Sequence, residues 1–176
     1  MPSYRAFVYS DSENLQYAVT SYHNPKRWKQ NILPENSPLR DASNWSSEMR
    51  YFDFSGQDYS NEIKKLPTTT GGVYIFYLKG INLPFIENYI LYVGRCRYTP
   101  KRNIRKRAKE YYNDKRELIS FMKRQWRDYL YYRFYPDTNN AQIDKNEELL
   151  IKAILPMFNE RIPDSIERQI TVSAFK

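Results

Sequence analysis

Residues 71–94 read GGVYIFYLKGINLPFIENYILYVG, and this stretch decides the fold. Val73 to Leu78 carries β-branched and aromatic side chains without a charge, which predicts a buried strand. Tyr89 to Val93 predicts a second. Between them Lys79-Gly80 and Pro84 interrupt the apolar run, so the pair forms an antiparallel hairpin with a long loop. Upstream, Thr68-Thr69-Thr70 and then Gly71-Gly72 mark a boundary.

Downstream the period changes. Pro100 and Asn103 can open a helix running to about Tyr112, and another covers Lys115 to Arg127. Tyr129 to Tyr135 predicts a third strand, aromatic at nearly every position. Asp144 to Leu155 predicts a third helix, stopped by Pro156. Ile170 to Phe175 predicts a last strand. The order strand, strand, helix, helix, strand, helix, strand defines an α+β fold, a small and mainly antiparallel sheet flanked by helices. Residues 1–66 are polar and turn-rich, punctuated by Asn24-Pro25, Leu33-Pro34 and Ser37-Pro38, with Met49 to Phe54 as their one strand-like run. The chain thus divides into an irregular N-terminal extension, 1–66, and a folded domain, 67–176.

The net charge of +8 is unevenly placed. Residues 1–67 carry 8 basic and 8 acidic side chains, whereas residues 68–176 carry 20 and 12. Arg95, Arg97, Lys101, Arg102, Arg105, Lys106, Arg107 and Lys109 follow one another with no acid between them. A basic run suits a solvated helix face; one without any counter-charge favours a polyanion partner. Nucleic acid comes before a membrane surface, because no Trp/Phe/Leu stripe faces the bases. No segment approaches the ~18 apolar residues of a membrane span. A single cysteine, Cys96, and a single histidine, His23, exclude an intrachain disulfide and a zinc cage built within this chain. A metal ion here would be held by oxygen. The start, Met1-Pro2-Ser3-Tyr4-Arg5, lacks the apolar core of a secretory signal, so a cytoplasmic location is expected.

Two charged residues sit oddly on their helices. Ile104, Ala108 and Tyr111 recur at spacings of four and three and define an inward face, with Arg107 on or beside it. A guanidinium at the edge of a core needs an anion, which a structural ion pair supplies as well as a bound phosphate does. In the third helix Leu150, Ile151 and Ile154 form the buried stripe and Glu147 lies on the same side, while Glu148 pairs outward with Lys152. Asp144 to Glu147 equally fits a capping box. Tyr74 and Tyr92, by pattern alone, are core residues.

Taken as a set, these positions resemble the GIY-YIG nuclease superfamily. Gly72-Val73-Tyr74 matches the first half of its signature and Tyr92-Val93-Gly94 the second, followed by Arg95 where relatives often carry Lys. Asn103-Ile104-Arg105-Lys106-Arg107 resembles the stretch bearing the family's arginine, which falls on Arg107, and a ring residue four later falls on Tyr111. Glu147, Leu150-Ile151-Lys152, Pro156 and Asn159 resemble the metal-binding glutamate helix, with the spacings of the N-terminal nuclease domain of the nucleotide-excision nucleases. The resemblance covers residues 71–160. A longer insert between Gly94 and Asn103 departs from it, as does Arg95.

The resemblance implies a divalent-metal-dependent DNA endonuclease that hydrolyses phosphodiester bonds. Glu147 would hold Mg²⁺ (or Mn²⁺), Arg107 would neutralise a non-bridging oxygen, and Asn159 would support the site. Tyr74 is expected to activate water, with Tyr92 and Tyr111 as hydrogen-bonding partners. A phenol of pKa ~10 needs nearby positive charge for that, and the basic cluster and the metal are its sources. Arg95, Arg97, Lys101, Arg102, Arg105, Lys106 and Lys109 would contact double-stranded DNA. A sequence-specific restriction or homing-type enzyme, acting as a homodimer and reading bases through residues 1–66, fits a stand-alone chain of this size. The alternatives are a structure-specific repair nuclease and a non-catalytic nucleic-acid-binding module on the same fold.

Overall fold

A computed structural model describes residues 33–80 and 89–159, together with the backbone of two N-terminal strands. These strands, β1 (Tyr4–Tyr9) and β2 (Gln16–Ser21), pair antiparallel with Tyr4 opposite Ser21. No strand is expected there from the turn-rich character of residues 1–66. YRAFVY and QYAVTS are nonetheless rich in β-branched and aromatic residues.

The main sheet has the order β3-β6-β4-β5 and is antiparallel throughout. Its strands are β3 (Met49–Arg50), β4 (Gly71–Leu78), β5 (Ile90–Cys96) and β6 (Leu130–Asp137). Helices α1 (Asn61–Lys64), α2 (Ile104–Glu110), α3 (Glu117–Gln125) and α4 (Asn140–Ile154) flank it. The fold is α+β, as the order of elements predicts. β4 is central and buried almost throughout, which is why its sequence carries no charge. Leu91 is an extra residue in the ladder, since Phe76 faces Tyr92 while Tyr77 faces Ile90.

The two faces of the sheet hold separate core layers. Tyr74, Phe76, Tyr92, Tyr132 and Phe134 pack against Ile104, Ala108 and Tyr111 on one side. Val73 and Val93 pack against Ile143, Leu150 and Ile151 of α4 on the other. Part of the segment set apart as an extension belongs to these layers: Tyr51, Phe52, Ile63 and Leu66 join the first and Leu39 the second. The run Met49 to Phe54 forms only a two-residue strand, because the chain then turns through Gly56 at φ 64°.

Local signals explain the helix ends. Asn103 caps α2, its Oδ1 accepting from Lys106 N at 3.0 Å. α4 starts four residues earlier than its sequence suggests, because Asn139 supplies the cap. It stops at Leu155, in the left-handed region at φ 53°, just before Pro156. The expected strand Ile170 to Phe175 lies outside the described residues. No helix among the described residues is long and apolar enough to cross a membrane.

Candidate active site

Glycine lets β4 and β5 carry a tyrosine between them. Gly94 lies opposite Tyr74, and a Cβ there would stand 2.5 Å from the Tyr74 hydroxyl. The Tyr74 ring therefore folds over the bare backbone of β5. Gly72, at φ 135°, has a different reason: a Cβ would meet the Tyr135 carbonyl oxygen at 2.0 Å.

The ring so placed joins a chain of hydroxyls. Tyr74 Oη and Tyr111 Oη are 2.7 Å apart, and Tyr111 Oη donates to Tyr92 Oη at 3.0 Å. Since Tyr111 has one proton and gives it to Tyr92, Tyr74 is the donor to Tyr111. Arg107 ties the chain from α2: Nε donates to Tyr74 Oη at 2.9 Å, Nη2 to Tyr111 Oη at 2.9 Å and Nη1 to Glu110 Oε2 at 2.8 Å. The arginine beside the inward face is thus satisfied mostly by phenols.

Burial sets the chemistry of these hydroxyls. Tyr74 and Tyr111 are fully buried, whereas Tyr92 keeps 8% of its surface. Burial pushes the Tyr74 hydroxyl well above the usual phenol range, its phenol neighbours add to the shift, and Arg107 opposes it without winning. Tyr111 moves the same way for the same first reason. With Arg107 as the opposing cation, burial leaves the Tyr74 proton harder to remove than that of a phenol in water.

Glu147 lies across the sheet, on α4. Its carboxylate is mostly buried and pairs with Arg95 Nη1 from the end of β5. Arg95 Nε also reaches Asp144 Oδ1 at 3.0 Å, and Arg97 Nη2 reaches Asp144 Oδ2 at 2.5 Å. Burial pushes the Glu147 carboxyl up, Arg95 pulls it down, and the charge of Arg107 also reaches it. The capping-box reading of Asp144 to Glu147 falls, because Asn139 caps the helix and Asp144 is an arginine partner. Glu147 does face the sheet, and Glu148 does pair outward with Lys152 Nζ at 2.5 Å. The hydroxyls and the carboxylate therefore approach β5, an edge strand, from opposite faces. They share no hydrogen bond.

Asn159 does not join either group. Its Oδ1 accepts from Val93 N at 2.9 Å and its Nδ2 donates to Val93 O at 2.7 Å, so the side chain acts as a short strand paired with the β5 edge. Asn140 does the same at Tyr98, accepting from its N at 2.7 Å and donating to its O at 3.1 Å. Asn140 is not singled out by the sequence, since an asparagine near a helix start reads as a cap.

The basic stretch is less naked than it reads. Arg95 and Arg97 meet Asp144 and Glu147, and Arg102 meets Glu110 at 3.2 Å. Arg105 donates to the Leu66 carbonyl, and Lys109 lies over the Tyr59 ring, 5.1 Å from its centroid. Lys101, Arg102 and Lys106 are exposed. Comparison of the chain with protein families, with curated proteins and with solved structures gives no match in any of the three.

Proposed function

We propose that the chain is a divalent-metal-dependent nuclease acting on DNA phosphodiesters at the β5 edge. The observation that carries this reading is Arg107, whose guanidinium donates to two fully buried tyrosine hydroxyls as well as to the exposed Glu110 carboxylate. A core gains little from burying this much polarity. Three of the five guanidinium N–H groups are engaged, which leaves two for a phosphate oxygen.

Glu147 suits a hard cation that keeps most of its waters. No group of three metal-ligating side chains gathers among the described residues, so the donor set is one buried carboxylate with Asp144 one turn away. The Arg95 side chain, 40% exposed and paired with both Glu147 and Asp144, would have to swing out as a cation enters. When bound there, Mg²⁺ or Mn²⁺ would acidify water and neutralise phosphate charge. The chain's own residues do the rest. Arg107 stabilises charge on a non-bridging oxygen. Tyr92, the last hydroxyl of the relay and the one with some exposure, directs its proton out of the cluster and toward the substrate. Tyr74 and Tyr111 position Arg107 and Tyr92.

Incubation of the chain with supercoiled plasmid and Mg²⁺ tests this. Nicking that EDTA stops and Glu147→Ala abolishes, with DNA binding retained, is the expected result. Binding without cleavage under Mg²⁺ or Mn²⁺ would favour a non-catalytic nucleic-acid module, a reading helped by the Arg95 partner that already satisfies Glu147. Mapping cuts on a random library then separates a restriction or homing-type homodimer, which leaves one repeated motif, from a structure-specific nuclease, which cuts at flaps and branches.

A further inference from the structure

We infer that the main-chain N–H of Arg95 is an anion donor, an open rung of the β5 edge beside the tyrosine–arginine cluster, suited to a phosphodiester oxygen. The inference rests on the nuclease reading for its ligand but on the sheet for its geometry.

β5 ends the sheet, so half of its backbone groups point away from β4. Alternation in an antiparallel ladder identifies which half. Asn159 takes both groups of Val93, and Phe158 N donates to Leu91 O at 3.0 Å. Residues 91 and 93 therefore point outward, and Arg95 follows them. The opposite strand agrees: Ser46 N donates to Phe134 O at 2.8 Å, so Phe134 faces away from β4 and Tyr74, its partner there, faces β5.

Native proteins close exposed edges, because open rungs invite another strand. On one side of Arg95 this edge is closed, by Asn159 at Val93. Next to that plug the N–H of Arg95 has no partner among the described residues, and the residue is exposed. With the Val93 rung already taken by Asn159, an added strand cannot run along the edge past Arg95, but the Arg95 N–H can donate to a single oxygen atom.

The position of the rung gives that oxygen a charge. Arg95 follows Gly94, against which the Tyr74 hydroxyl rests, and Arg107 Nε lies 2.9 Å from that hydroxyl. On the other face the Arg95 guanidinium covers Glu147. An anion at the rung thus meets a main-chain donor with Arg107 close by, a charge-assisted hydrogen bond of the stronger kind.

Proline makes the test specific. It is tolerated on an edge strand where the N–H faces outward, and Gly94 is already in the extended conformation that a residue before proline adopts. Arg95→Ala removes the guanidinium alone; Arg95→Pro removes the N–H as well. With the full chain, Arg95→Pro should bind a short DNA duplex roughly 10- to 100-fold more weakly than Arg95→Ala, the loss expected for one hydrogen bond to a charged group. In the ¹⁵N-labelled wild-type chain, the Arg95 amide proton should move downfield on addition of inorganic phosphate and of the duplex. If Arg95→Pro fails to fold, that shift decides alone. Equal affinities of the two variants with an unmoved amide overturn the inference. DNA cleavage with an unmoved Arg95 amide sinks the rung and keeps the nuclease; a moving amide in a chain that never cleaves does the reverse.

Discussion

Gly94→Ala should destabilise the protein even though its backbone is ordinary extended strand. The added methyl would stand 2.5 Å from Tyr74 Oη, 2.6 Å from Cζ and 2.7 Å from Cε2. The ring cannot easily retreat. Tyr132 stacks on it with centroids 5.6 Å apart, Tyr111 meets it edge-on at 5.7 Å, and its hydroxyl is held by Arg107 and Tyr111. Overpacking of this kind costs about 1–3 kcal/mol. A ring that moves instead gives up the hydrogen bond from Arg107, worth about 1.5–3 kcal/mol for a charged donor. Against this, alanine in a strand gains roughly 0.5–1 kcal/mol of chain entropy over glycine. The net is a loss of about 0.5–2.5 kcal/mol, or roughly 2–4 °C in Tm per kcal/mol for a chain of this length. Urea denaturation followed by circular dichroism measures it. The decisive arm is Tyr74→Ala, in which the same methyl meets empty space. There Gly94→Ala should change sign and stabilise by roughly 0.5–1 kcal/mol. An equal cost in both backgrounds, or none in the wild type, would show that the Tyr74 ring does not lie over Gly94.

Other perturbations test other parts of the site. Asn159→Ala removes both bonds to Val93 and should cost about 1–3 kcal/mol in urea denaturation; a change under ~0.5 kcal/mol would mean that the clamp does not hold the edge. Tyr92→Phe and Tyr74→Phe should both lower cleavage, but only Tyr74→Phe strips Arg107 of a partner and should also lose about 1–3 kcal/mol of stability. Duplex binding should weaken with salt at a slope of about −3.6 in log K against log salt, if roughly four of the basic residues touch phosphate. Lys101, Arg105, Lys106 and Lys109 supply that number, since no acidic partner holds them among the described residues. A slope near zero would assign the basic stretch to internal ion pairs. Alkaline pH probes the buried phenols. Burial raises Tyr51, Tyr74, Tyr111 and Tyr132 above the usual phenol value of 10.0. A raised folded pKa contributes stability that is complete below the unfolded value and is lost as pH climbs past it. Four such groups give a loss of roughly 5 kcal/mol per pH unit above pH ~10. Phenolate absorbance from these rings should therefore appear together with loss of structure; phenolate forming in a folded chain would place the hydroxyls nearer water.

The parts of this fold that are visible in the sequence are those fixed by neighbours along the chain. The charge-free run of β4, the aromatic β6 and the helical spacing around Ile104 all place their elements, because periodicity is a local property. The same spacing puts Arg107 beside an inward face and turns Glu147 toward the sheet. What spacing cannot show is depth or partnership across the fold. Arg95 and Glu147 are 52 residues apart and Arg97 and Asp144 are 47 apart, so a stretch that reads as uncompensated charge is compensated by α4. Asn159 and Asn140 act on backbone groups 66 and 42 residues away, partners that no local pattern reveals. Tyr74 shows the consequence for mechanism. Counting cations along the sequence leaves out desolvation, which grows with burial and raises the Tyr74 phenol against the charge of Arg107. Because Tyr111 gives its only proton to Tyr92, the chain of hydroxyls has a direction, and it ends at the ring nearest water. A reaction at this edge would therefore exchange protons at Tyr92, with Tyr74 holding the geometry behind it.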